Sequence, residues 1–351
     1  MFKKLNSLLK KGIELYADEE YEKGIKCFDK AIKLDPTYTY AWSSKGTCLL
    51  EMKEYEKAIE CFDKAIKLYM IFQSGKKRFP YGDPFTDPCL SDYADTLVAK
   101  GDCLASQRKH EEAIKCFNEA LKLNSESNDT NGDAWSGIGN SLSYLRKYEE
   151  AMECFDKALK LNPEDHNAWY GKGTTMSYSG KYEEAIEYFD KALKLNSEDT
   201  DILNSKGNTL SSMGKYEEAI ECFDKALKIN PEDTDTLNSM GITLSSMGKY
   251  EEAIECFDEA MKIKPEDTDI LNSMGITMSS SGKHKEAIEC FDKILKINAE
   301  DSAAWFNRGE ILYYLKEYGE AMKCYKEAVK NEPDNDDIKK AIELVKSLKL
   351  G

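Results

Sequence analysis

Eleven cysteines and three histidines are the residues of this 351-residue chain that could close a disulfide, hold a metal or serve as nucleophile and base. Their spacing points to packing. Cys27, Cys61, Cys116, Cys154, Cys222, Cys256, Cys290 and Cys324 recur in one register of a repeated string, and Cys48 and Cys103 share another. A cysteine placed so regularly behaves as a small apolar residue on a helix face. Neighbouring equivalents are separated by an intervening helix, and helices pack roughly 8–10 Å apart. That exceeds the ~7 Å Cα limit for a disulfide. No C-x-x-C occurs, and a reducing compartment is the expectation. His110, His166 and His284 form no ligand cluster, which argues against a zinc site.

Other chemistry is equally poorly supplied. Motifs of the G-x-S-x-G nucleophile kind and the G-x-x-x-x-G-K-[ST] phosphate-loop kind are missing from the sequence. Carboxylates are plentiful, but Glu60–Lys64, Glu153–Lys157, Glu187–Lys191, Glu221–Lys225 and Glu289–Lys293 stand four residues apart in the favourable order. Such pairs read as solvated helix faces worth ~0.2–0.5 kcal/mol each, and not as acid–base dyads. Neither catalytic residues, a metal nor a cofactor is expected.

The elements that carry these residues are set by a repeat. The string YEEAIECFDKALK, or a near copy, returns every 34 residues. Nine units fall at 5–38, 39–72, 94–127, 132–165, 166–199, 200–233, 234–267, 268–301 and 302–335. Numbering each from 1 to 34, position 8 is Gly in all nine, position 20 is Ala in eight, and position 24 is Phe in eight. All four tryptophans, Trp42, Trp135, Trp169 and Trp305, occupy position 4. Positions 4, 8 and 11 form one helix face, and positions 17, 20, 24 and 27 form a second. Gly180, Gly214, Gly248 and Gly282 at position 15 can end the first helix in the left-handed conformation. Each unit is therefore an antiparallel helix pair. Small residues at 8 and 20 let its helices approach, and aromatics at 24 fill the space between pairs.

Three segments interrupt the array: 73–93, 128–131 and 336–351. The first holds Pro80, Pro84 and Pro88, the run Lys76-Lys77-Arg78, and Phe79, Tyr81 and Phe85, a set of aromatics suited to packing or to contact with a partner. The last has Ile338, Ala341, Ile342, Leu344 and Val345 on one side and reads as a helix capping the final repeat. The organisation is thus repeats one and two over 5–72, an insertion over 73–93, repeat three over 94–127, repeats four to nine over 132–335, and a cap over 336–351.

The pattern resembles the tetratricopeptide repeat, whose period and W…L-G…Y…A…F…P signature it carries. Its wording is similar to the long arrays of such repeats common in methanogenic archaea. One departure is systematic: the family's Leu at position 7 is Lys or Arg in six units (Lys11, Lys45, Lys100, Lys172, Lys206 and Arg308). The resemblance implies an all-α, right-handed superhelical solenoid whose first helices line a concave groove, with positions 2, 5, 6, 9, 12 and 13 facing a ligand. On this chain that surface includes Tyr144, Tyr170 and Tyr178 in units four and five, and Asn204, Asn208, Asn238 and Asn272 in units six to eight. Asn amides donate and accept, so they suit an extended peptide backbone. Tyrosines suit a selective contact. Position 2 contributes Asp133, Asp201, Asp235 and Asp269, which either cap helix N-termini or form an acidic edge to the groove. Positions 5, 9, 12 and 13 hold no Lys or Arg, unlike the carboxylate clamp of the family's chaperone-binding members.

A non-catalytic scaffold holding a protein or peptide follows, with a regulatory protein closing around a small ligand or a self-associating structural scaffold as the rivals. Lys+Arg 49 against Asp+Glu 65 gives a net charge of −16, which favours a partner with basic residues and disfavours nucleic acid and anionic membrane. No apolar run approaches the ~18 residues of a membrane span. The lysine-bearing N-terminus reads as an amphipathic helix and not as a signal peptide, so the cytoplasm is the expected location.

Overall fold

The computed structural model describes residues 2–73, 89–123 and 128–348. Among them are nineteen helices and no strand. The chain divides into two compact units, Met1–Asn196 and Ser197–Gly351. Each is a solenoid in which a helix pair stacks on the next. Repeats one to five make the first unit. The second holds Thr200–Ser212 with Tyr216–Ile229, Thr234–Ser246 with Tyr250–Ile263, Thr268–Ser280 with His284–Ile297, and Ser302–Tyr314 with Tyr318–Asn331. Its last helix, Asp336–Leu348, buries Ile338 and Val345 against Tyr325 and Ala328.

Helix starts follow a rule that the sequence reading misplaces. The capping aspartate is at position 34, not position 2. Asp165, Asp199, Asp233, Asp267 and Asp301 accept from backbone N–H groups in the first turn of the following helix. Asn335 does the same for the last helix, accepting from Asp337 N at 3.0 Å. Asp201, Asp235 and Asp269 lie exposed in the first turn, where they favour the helix dipole without capping. Asp133 is further in, because its helix begins early, at Asn128. Residues 128–131 are consequently the first turn of a longer helix and not a break. Similarly, the helix after the insertion starts at Cys89, and Tyr93 is buried in a stack on Tyr69 with ring centroids 5.0 Å apart. Phe79, Tyr81 and Phe85 lie outside the described residues.

All nine turns place position 15 in the left-handed region. Gly180, Gly214, Gly248 and Gly282 have φ between 75° and 84°. Glu19, Lys53, Arg108, Arg146 and Lys316 take the same conformation at φ 59–65°. The turn is closed by Lys215 N donating to Leu210 O at 2.9 Å and its equivalents, which satisfy the carbonyls at the helix end. A side chain in this conformation costs ~1–2 kcal/mol, and glycine's entropic cost returns about half of that. Arg146→Gly is therefore expected to stabilise the protein by ~0.5–1 kcal/mol, seen as a rise in thermal midpoint; a fall would show that the arginine side chain holds the turn.

The stacking is specified by three kinds of inter-repeat contact. Lys or Arg at position 7 pairs with Asp at position 25 of the preceding repeat: Lys45–Asp29 at 2.7 Å, Lys100–Asp63 at 2.5 Å, Lys172–Asp156 at 2.7 Å and Arg308–Asp292 at 2.8 Å. In these four repeats the pair accounts for the family's missing leucine, since a long alkyl stem can lie along the interface while the head group reaches the carboxylate. Hydroxyls form the second set. Thr175 and Ser143 lie 2.5 Å apart, and Thr243 and Thr277 donate to Ser211 and Ser245 at 3.0 Å. Third, the indoles of Trp42, Trp169 and Trp305 donate to the carbonyls of Pro36, Pro163 and Ala299. Lys157 and Lys191 do not close the pairs expected within their helices; they lie 4.1 and 4.7 Å over the rings of Trp135 and Trp169.

Candidate functional site

The faces presented by the first helices differ between the two units. In the first, Tyr144 and Tyr178 are 61% and 51% exposed, with ring centroids 6.0 Å apart. Burial first, and the neighbouring Tyr144 second, push the Tyr178 hydroxyl up to about 12. Tyr170 lies close enough to contribute to that shift, but its ring also packs against the buried Phe189 at 6.0 Å. His110 joins the cluster, stacked on Tyr144 at 4.8 Å and nearly parallel. Sequence reading missed His110, although its replacement of the usual tyrosine at position 17 was a visible signal. On the same unit Asp102 is water-exposed, yet the surrounding protein mass and then Asp133 push its carboxyl upward.

In the second unit Asn204, Asn238 and Asn272 are half-buried at equivalent places on successive helices, and they are bonded differently. Asn204 accepts from Asn208 at 3.4 Å, and Asn272 accepts from Asn307 at 3.0 Å. The buried Asn238 Oδ1 has no hydrogen-bond partner. Asn208 is exposed. Beside them Ile242 and Ile276 at position 9 are each 46% exposed. The serines at position 12 are less available than the resemblance implies, because Ser143, Ser211 and Ser245 are engaged with threonines of the next repeat. Asp201, Asp235 and Asp269 at position 2 remain exposed at the start of the same helices, and Asp133 is exposed on its own helix in the first unit.

The tetratricopeptide-repeat family profile matches residues 5–38, 39–69, 94–127, 132–165, 166–199, 200–233, 232–300 and 302–335. The chain belongs to the tetratricopeptide-repeat family. Among solved structures, a tetratricopeptide repeat protein from Parabacteroides merdae superposes with a TM-score of 0.56 at 19% identity, over 72% of this chain and 98% of that one. Pseudomonas aeruginosa pilF does so with a TM-score of 0.51 at 18% identity, over 61% and 97%. At these identities the likeness is one of fold. Among curated proteins no relative of this sequence is found.

Within this tetratricopeptide-repeat protein the ten described cysteines are free thiols, and all but Cys256 are buried. Burial pushes the thiols of Cys61 and Cys256 up to about 11, which suppresses the reactive thiolate. No group of three or more potential metal ligands occurs among the described residues. None of their helices is long and apolar enough to cross a membrane.

Proposed function

We propose that this tetratricopeptide-repeat protein is a non-catalytic cytoplasmic scaffold that holds a peptide segment along its first-helix faces. The observation that carries this reading is the pairing of Ile242 and Ile276, each 46% exposed, with the amides of Asn208, Asn238 and Asn272. A surface kept wet merely for solubility has no use for exposed isoleucines at the same place on two successive repeats. Apolar side chains set among groups that both donate and accept are what an extended peptide engages. In the first unit Tyr144, Tyr178 and His110 offer flat apolar faces with polar edges, the composition of an energetic hot spot. The exposed Asp133, Asp201, Asp235 and Asp269 and the net charge of −16 favour a partner with basic residues.

The test begins with a pull-down by the full chain, followed by calorimetry on the peptide it captures. Two variants are compared with wild type: Asn204, Asn238 and Asn272 all to Ala, and Tyr144→Ala with Tyr178→Ala and Tyr170→Phe, the last keeping the contact with Phe189. Each is expected to lose about tenfold or more in affinity at an unchanged melting temperature. If both bind as wild type does, the surface assignment fails and the insertion at 73–93 becomes the place to search. Light scattering that finds only a defined homo-oligomer, with no captured protein, would favour self-association instead.

A further inference from the structure

Between repeats eight and nine, wholly within the second unit, lies a cavity of about 640 Å³. Ile276, Ser279, His284, Asn307, Glu310 and Tyr314 are among its lining residues, and none of the lining residues is a lysine or arginine. The cavity is open, with Ile276 46% and Tyr314 72% exposed. His284 supports the tyrosine, its ring 5.1 Å from that of Tyr314.

Several polar atoms of the wall are oriented by bonds within the protein. Tyr325 donates to Glu310 Oε1 at 2.6 Å, which orients the carboxylate and leaves its second oxygen for a ligand. Ser280 donates to the carbonyl of Ile276 at 3.0 Å. The Asn307 amide gives one hydrogen to Asn272, leaving the other and the Asn307 carbonyl for a ligand. What the cavity offers is one carboxylate set among hydroxyls, an imidazole and an amide, beside the exposed faces of Ile276 and Tyr314. An anion would face the Glu310 carboxylate with no lysine or arginine in the lining to compensate it, whereas a cation is attracted.

We propose that this cavity receives the side chain of a lysine or arginine from a bound peptide. The alkyl stem lies along Ile276 and Tyr314, and the cationic head bonds Glu310 with Asn307 beside it. The proposal rests on the peptide-scaffold reading above and gives that scaffold a side-chain preference.

The full-length protein, with its isoleucine methyls labelled, is titrated with acetyl-Ala-Ala-Lys-Ala-Ala-amide and with the same peptide carrying norleucine, which keeps the stem and removes the ammonium. The lysine peptide is expected to shift the Ile276 methyl saturably and to bind about tenfold more tightly than the norleucine peptide. Glu310→Gln, which keeps an acceptor for Tyr325, should reduce the lysine peptide to the norleucine level. Tyr314→Ala, at an exposed position, should weaken both peptides. Equal binding of the two peptides to wild type, or a lysine preference that survives Glu310→Gln, overturns the proposal. A shift at Ile242 with none at Ile276 leaves the peptide scaffold standing and removes the pocket; silence at both methyls removes both.

Discussion

Phe257→Ala is expected to remove about 3–5 kcal/mol of stability from the second unit. Phe257 is 0% exposed and packs among Leu237, Leu244, Ile270 and Met274, so it serves its own helix pair and the next one. The ring is held too tightly for neighbours to collapse into its place, which adds a cavity cost to the lost burial. The equivalent Phe28→Ala lies in the first repeat, which has a neighbour on one side only. Because each repeat touches only its neighbours, that lesion should fray one end and leave the rest folded. Hydrogen exchange checks the difference. Protection should fall across repeats six to eight for Phe257→Ala and only across repeat one and its neighbour for Phe28→Ala. Equal, global losses for both would mean that the array unfolds as one block.

Gly46→Ala should destabilise by up to about 2 kcal/mol, against the direction that helix propensity alone gives. Alanine is the better helix former by about 1 kcal/mol. A Cβ at Gly46, however, would stand 2.5 Å from Phe62 Cε1 and 2.8 Å from its Cδ1. Phe62 is 0% exposed and cannot swing into solvent. Overpacking of this kind costs ~1–3 kcal/mol before relaxation. Pairing Gly46→Ala with Phe62→Leu should recover part of the loss, because the smaller side chain vacates the space that the methyl needs. Urea melts of the two single variants and the double form the cycle. A double variant as unstable as the sum of the singles would show that the two residues do not share this space.

How much of the molecule was legible in the sequence divides along a physical line. Contacts that repeat with the 34-residue period can be read from any one copy. The helix pairs, the Gly–Phe contact and the left-handed turn at position 15 are all of this type. At position 15 the turn geometry is so strongly imposed that Arg146 and Lys316 adopt it without a glycine. The position-2 aspartates show where such reading slips. An acidic residue near a helix start looks like a cap, but the capping geometry is satisfied two residues earlier, by Asp199 and its equivalents.

The candidate site was legible only in part, because sidedness and bonding are set by neighbours that the period does not name. Asn204, Asn238 and Asn272 are identical in sequence and register. One is bonded along its own helix, one is held by Asn307 of the next repeat, and one has an unpartnered oxygen. Likewise the departure at position 7 was visible as a pattern, but its cause was not. Lys45 and Asp29 are 16 residues apart and meet only once two helix pairs have stacked. The sequence by itself determined the repeating unit, since its helices are fixed by local periodicity, turn chemistry and small-residue contacts within 34 residues. The tertiary structure alone decided which polar groups are consumed between repeats and which, such as Glu310 beside Tyr314, are left facing a cavity, because hydrogen bonds and burial depend on side chains brought together from separate repeats.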